Sequence, residues 1–337
     1  MFRISFLAII VLIVACNTGN NKPDVSNILV QVNIERFDKS FFAIDTNHIT
    51  NGLQKVHQSF PLFYPTFMQD ILQVSGQENN PETVAVTKNV LTNYAGFYDS
   101  IARIYNNLSW LKNDLQEAFQ YVKYYYPGYV VPRVITFVGP LDVPGVALTN
   151  QYLAIGLQQF GGKNFSAYQN EQVQQLYPTY ISRRFDKEYI VPNCMKAVAG
   201  DIYPDKSVGR PLIEQMIEKG KDWLLVDHFL PDAPDSVKTG FTKKQLEWCH
   251  DNEGNIWSYI IKNENLYSIE PATIQTYIGE APFTQGMPEG SSPGNIGQWI
   301  GWRIIQKFAG EHKELTVPQV VQTPARAIFE GAKYRPK

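Results

Sequence analysis

Cysteine is scarce in this chain. Three residues in 337, Cys16, Cys194 and Cys249, form no CxxC pair, which excludes a disulfide scaffold and a thiolate zinc site. Histidine is nearly as rare: His48, His57, His228, His250 and His312 are the five, and no two stand four apart. The H-E-x-x-H pattern, in which two imidazoles one helical turn apart reach one metal, is therefore missing. No dense basic run exists, and 30 Lys+Arg against 32 Asp+Glu leave a formal charge of -2, which argues against nucleic acid as a partner. Long apolar runs are missing too, with one exception. Phe6 to Val14 is nine unbroken apolar residues, well short of the ~20 that span a bilayer as a helix. What the chain does have is 44% hydrophobic residues against 18% charged, enough to bury a core, and 19 Tyr, 19 Phe and 6 Trp to supply aromatic surfaces for a partner.

Met1-Phe2-Arg3 gives a short positive segment ahead of that apolar run, the layout of a signal peptide. Ile13-Val14-Ala15-Cys16 follows and resembles the bacterial lipobox. The resemblance implies that residues 1–15 are removed and that Cys16 carries a diacylglycerol thioether and an acylated amine. At about 0.8 kcal/mol per buried methylene, more than one chain makes a stable anchor. The alternative is a plain secretory signal that contains a Cys. Residues 16–27 are polar, with Gly and Pro and a single apolar Val25, the composition of a flexible tether, so the globular domain is expected over residues 28–337. The expected protein sits on a membrane and does not span it. The expected address is the cell envelope, on the periplasmic face of the outer membrane.

Val30, Val32 and Ile34 alternate with polar residues and predict a strand. Helices are predicted over Asn51 to His57, Tyr64 to Val74 and Pro81 to Tyr105, and one whose face is Leu108, Leu111, Leu115, Phe119 and Val122 is stopped by Pro127-Gly128. A small sheet is predicted from Val130 to Val138, Gly145 to Leu148 and Tyr152 to Leu157. A long buried helix then carries Ile213, Met216, Ile217, Leu224 and Leu225 to His228, and another begins at Thr242 as N-cap. No repeat or Ser-rich linker divides the chain after Ile28, so the predicted class is α+β: one predominantly helical domain with a small β-sheet.

Several segments invite a chemical reading. Gly290-Ser291-Ser292-Pro293-Gly294 spells G-x-S-x-G, but the residue after a nucleophilic Ser must donate its backbone N–H to the oxyanion, and Pro293 has none. An exposed turn is expected there. Asp227-His228 suggests half a triad, yet His228 ends a helix, where it meets the last carbonyls. His250-Asp251-Asn252-Glu253 offers oxygens without the spacing of an EF-hand loop. Cys194 and Cys249 are left as either a pair or two buried thiols. Gly297 and Gly301, beside Trp299 and Trp302, suit a helix packed closely on the core.

Ile34-Glu35-Arg36-Phe37-Asp38, Pro132-Arg133-Val134-Ile135-Thr136-Phe137, Ile155-Gly156-Leu157-Gln158 and Tyr180-Ile181-Ser182-Arg183-Arg184-Phe185 resemble the gliding-motility lipoprotein GldB family of Bacteroidetes. So do Gly279-Glu280-Ala281-Pro282-Phe283 and the stretch from Pro293 to Trp302. The resemblance covers essentially the whole mature chain. It implies an envelope lipoprotein needed for surface gliding, working with the gliding and type IX secretion machinery, and it implies no reaction. The element order also resembles, more distantly, a lipoprotein-type zinc metallopeptidase, with Tyr189 to Asp201 where the metal helix would stand. That stretch contains no His and carries Pro192, so Glu218, the possible third ligand, is expected to be a structural carboxylate. No catalytic residue, cofactor or metal is expected, and an envelope hydrolase of metallopeptidase type with an unrecognised site is the alternative. Expected partners are a membrane, through lipid on Cys16, and other gliding and secretion proteins of the envelope, docked on the Gly279 to Asn295 loop through Phe283 and Met287. A lid packed on a cleft is the other reading of that loop. Asp99-Ser100-Ile101 and Asp235-Ser236-Val237 resemble the tripeptide to which Bacteroidetes attach O-glycans, with Ser236 expected in an open loop and Ser100 within a helix.

Overall fold

Four strands form one mixed sheet in the order β1-β2-β4-β3. The computed structural model describes residues 22–337, so the expected signal peptide and lipidation site at Cys16 lie outside the described residues. Strand β1 (Ile34–Arg36) runs parallel to β2 (Arg133–Phe137), with Ile34 opposite Val134. Strand β3 (Val146–Leu148) is antiparallel to β4 (Tyr152–Gly156), and β4 is parallel to β2. The strand predicted over Val30 to Ile34 is thus displaced. Val32 is buried between exposed neighbours as the alternation requires, but the ladder starts only at Ile34. Pro132, just before β2, has no N–H to extend the ladder the other way.

The two central strands are buried on both faces, β4 along its whole length and β2 from Val134 onward, whereas the outer strands β1 and β3 are only partly covered. Ile135, Phe137, Tyr152 and Ala154 point into one core, and Val134, Val138, Leu153 and Ile155 into the other. The first core is aromatic. It is closed by α1 (Phe37–Phe42) and α2 (Ile49–Ser59), where the Phe37 ring centroid lies 5.0 Å from that of Phe63 and 4.6 Å from that of Phe67. The helix predicted over Tyr64 to Val74 is instead one α-turn, Tyr64–Thr66, followed by a π-helical turn, Phe67–Ile71. That local widening lets Phe63, Tyr64, Phe67 and Met68 all reach the same core. The helix predicted over Pro81 to Tyr105 is two, α3 (Pro81–Asn93) and α4 (Ala95–Ile104). Tyr94 leaves helical dihedrals at ψ 2°, and Gly96 beyond it favours no continuation.

The second core is larger. It lies beneath α5 (Ser109–Tyr125), α6 (Ile190–Ile202) and α7 (Leu212–Phe229). The chain continues through α8 (Asp235–Thr239), α9 (Lys243–Asp251), α10 (Glu253–Asn263) and α11 (Pro271–Ile278). It closes with α12 (Ile296–Glu311), α13 (Val317–Gln322) and α14 (Ala325–Ala332). Thr242 caps α9 as expected, in a reciprocal box with Gln245. Helix α12 packs on α7, and a Cβ on Gly301 would stand 1.7 Å from the Met216 carbonyl oxygen, the close approach that the small residues predict. The class is α+β, mostly helical around a small mixed sheet. Within the expected tether Val25 is buried, and at the expected boundary Gln120 Nε2 donates to the Ile28 carbonyl at 2.9 Å.

Candidate functional site

The loop joining α11 to α12 has no regular structure, yet it is tightly held. Thr284, fully buried, donates its hydroxyl to the Pro293 carbonyl at 2.7 Å and closes the loop on itself. Gly286 takes φ +83°, and a Cβ there would stand 2.0 Å from the Tyr259 hydroxyl. Gly294 passes so close to Ala281 that a Cβ would meet its carbonyl oxygen at 2.1 Å. Both positions admit only glycine. Glu280 forms a bidentate pair with Arg184, 3.1 Å on each arm, which fastens the loop to the segment before α6.

Within this frame the two residues expected to meet a partner separate. Met287 is buried in the second core, while Phe283 is half-buried and keeps an open edge. Met287 therefore anchors the loop and Phe283 is the side chain left to meet something else. Ser292, expected in an exposed turn, is fully buried, and its hydroxyl has no hydrogen-bond partner. Pro293 and Gly294 are buried along with it, and Gln245 Nε2 donates to the Ser292 carbonyl at 3.4 Å. Pro293 still denies it an oxyanion donor.

A cavity of about 350 Å³ opens elsewhere, between α5, the first turn of α6 and the loop between α7 and α8. Trp110, Val191, Phe229 and Val237 contribute apolar walls, while Asp114, Glu117, Glu188 and Asp232 stand on the lining. Burial pushes the Asp114 carboxyl above its ordinary range. Nothing in the sequence marks this cavity, because its walls come from three distant segments. The Pro231-Asp232-Ala233-Pro234 turn is the one local signal.

Several titratable groups outside it are held by structural partners. His57 Nδ1 lies 2.6 Å from Glu78, His48 Nδ1 2.9 Å from Asp45 and His312 Nδ1 3.0 Å from Glu314. His228 Nδ1 meets the Leu224 carbonyl of its own helix at 2.7 Å, the helix-end role expected of it. Glu218 accepts from the buried Lys221 amine at 2.8 Å, and that amine also donates to Tyr203 and to the Thr323 carbonyl. The stretch compared to a metal helix is helical as α6, with Pro192 in its first turn, where the missing N–H costs nothing. Among the described residues no group of three or more His, Cys, Asp or Glu is placed to hold a metal ion. Cys194 and Cys249 are separate buried thiols, both pushed up by burial. On α6, burial pulls the Lys196 amine down to about 8, with the Arg184 guanidinium adding to the effect and Glu280 opposing it.

Ser236 is not in an open loop. Pro234 and Asp235 start a short helix, α8, and leave Ser236 half-buried in its first turn. Ser100 lies within α4 as expected, with its hydroxyl donating to the Gly96 carbonyl at 3.0 Å. Among the described residues no helix is long and apolar enough to cross a membrane.

Residues 18–336 match the family model described as gliding motility protein GldB. No curated protein and no solved structure matches the chain.

Proposed function

We propose, for a chain that belongs to the gliding motility protein GldB family, that it serves gliding as a lipid-anchored envelope component acting by protein–protein contact and not by catalysis. The match over nearly the whole chain carries this reading. The anchor rests on the lipobox at Cys16 and the envelope address follows from it, with the periplasmic face of the outer membrane as the proposed location. The partners proposed are other proteins of the gliding and type IX secretion machinery. Support for contact over catalysis comes from the chemistry of the groups present: four of the five His and Glu218 are each engaged in a structural pair, and Ser292 precedes a residue with no N–H. Descent of the fold from a zinc metallopeptidase is part of the same proposal, which requires a helix over Tyr189 to Asp201, and α6 is such a helix.

Crosslinking in intact envelopes, with recovery of the chain and mass spectrometry, tests the reading. A defined envelope protein linked to the wild-type chain and lost when Phe283 is replaced by Ser is the expected result. One tightly bound zinc per purified chain with chelator-sensitive peptidase activity would overturn it in favour of the hydrolase.

A further inference from the structure

The tip that follows α5 is unusual in what it exposes. Its sequence runs Tyr124-Tyr125-Tyr126-Pro127-Gly128-Tyr129-Val130, with Val130 84% and Tyr124 47% exposed. Leu29 is 97% exposed. The parallel register of β1 with β2 puts Ile34 beside Val134, so Leu29 and Val130, a few residues upstream of each, lie at the same end of the sheet. The tip is built, not frayed: the Tyr129 N–H donates to the Tyr126 carbonyl at 2.9 Å. The Lys123 amine ties down the carbonyls of Pro127 and Tyr129.

The described chain begins on this same side. Lys22 pairs with Asp232, and it shares a surface depression with Glu117, Gln120 and Tyr121 of α5. Five residues lie between Cys16 and Lys22, six steps along the chain. At ~3.3–3.6 Å per fully extended residue, the lipidated end lies within about 20 Å of that point. A bilayer holding Cys16 must then face the side of the molecule that carries Lys22, α5 and the tip.

We infer that Leu29, Val130 and the Tyr124 ring form a membrane-docking face that seats the domain on the surface of the bilayer that anchors it, on a tip whose Tyr125, Tyr126 and Tyr129 rings pack back on the core. This rests on the proposed anchor at Cys16 and extends it from a tether to an orientation. Tyrosine suits the depth where headgroups meet acyl chains, with the ring in the apolar zone and the hydroxyl in water, while Leu29 and Val130 supply insertion. Lys22 and Lys123 are engaged with Asp232 and with backbone carbonyls, so the face meets lipid through the Tyr124 ring and aliphatic groups and not through attraction to anionic headgroups.

The test uses the full-length lipidated protein, purified from envelopes and reconstituted in phosphatidylethanolamine vesicles with brominated acyl chains. A fluorescent thiol label is placed on Val130→Cys or on Ile269→Cys; Cys194 and Cys249 are buried and do not compete. Ile269 is a matched control, 63% exposed but at the far end of α7, where the Leu212 N–H donates to the Ser268 carbonyl. That end is about 27 Å along the helix from the end that meets Tyr126. Quenching several-fold stronger at 130 than at 269, undiminished in high salt and weakened by Leu29→Ser, is the expected result. Equal quenching at the two positions in protein that floats with the vesicles overturns the docking face alone. Failure to float refutes the anchor, and the face with it.

Discussion

Gly220 of α7 and Gly301 of α12 meet backbone to backbone: a Cβ on Gly220 would stand 2.4 Å from the Gly301 carbonyl carbon. No side chain at the far end of a rotatable bond can yield there, because the obstacle is main chain. Each methyl group would force α7 and α12 apart, and overpacking of this kind costs about 1–3 kcal/mol or more. Gly220→Ala and Gly301→Ala are therefore expected to lower the melting temperature sharply or to prevent accumulation. Gly310, on the same helix α12, has nothing within 4 Å of its would-be Cβ. Gly310→Ala should raise stability by up to about 1 kcal/mol through helix propensity. Thermal melts of the three variants check the opposite signs, and a stable Gly301→Ala protein would contradict the packing described.

How much of this was legible in the sequence depends on how far apart the contributing residues lie. The stripe from Leu111 to Val122, the Thr242 cap and the Gly297–Gly301 spacing each write their structure within a few turns, and each appears where expected. Strand β1 could be read as a strand but not as a member of the sheet, since Ile34 pairs with a residue a hundred positions away. Local periodicity carries no record of such a pairing. Ser292 was misjudged for the same reason: Gly, Ser and Pro spell an exposed turn locally, and only Gln245 and the Thr284–Pro293 bond turn it inward. The cavity beside Trp110 is signalled locally only by the Pro231-Asp232-Ala233-Pro234 turn, since its walls come from three distant segments.

Burial pushes the Asp222 carboxyl up to about 7, with Lys219 and Lys221 opposing and Asp205 and Glu218 reinforcing the shift. The folded state therefore binds this proton more tightly than the unfolded chain, whose Asp titrates near ~4. Between about pH 4 and pH 7 the folded chain holds a proton that the unfolded chain has released, so this group's contribution to stability falls as pH rises through that window. Asp222→Asn keeps the neutral form at every pH. Its melting temperature is expected to exceed that of the wild type at pH 8, with the difference vanishing by pH 4. A difference independent of pH would show that folding does not raise the Asp222 pKa.

Phe283 and Met287 give separable outcomes because one is an anchor and the other is open. Met287→Ser removes a side chain buried in the second core and should cost roughly 2–4 kcal/mol, read as lower abundance and an earlier melt. Phe283→Ser leaves that anchor in place and should cost much less. If the loop meets a partner through its open edge, Phe283→Ser abolishes gliding at normal protein level. Unchanged gliding at unchanged abundance would remove Phe283 from any docking role.

The last expectation concerns Cys16. Single-chain acylation holds a protein on a bilayer only reversibly, whereas the thioether-linked diacylglycerol and acylated amine implied by the lipobox bind effectively for good. Leu29 and Val130 cannot replace it. Two exposed aliphatic side chains, at about 1.5–3 kcal/mol each even when fully buried, orient a domain that is already tethered but do not hold a free one. Cys16→Ala should therefore leave the protein unprocessed or in the soluble fraction with its docking face intact, and gliding should stop although the folded domain melts as the wild type does. Palmitate still incorporated into the variant would place the lipid elsewhere. Membrane retention of a processed variant, free of the Phe6–Val14 segment and without palmitate, would mean that the face around Tyr124 binds more strongly than its area allows.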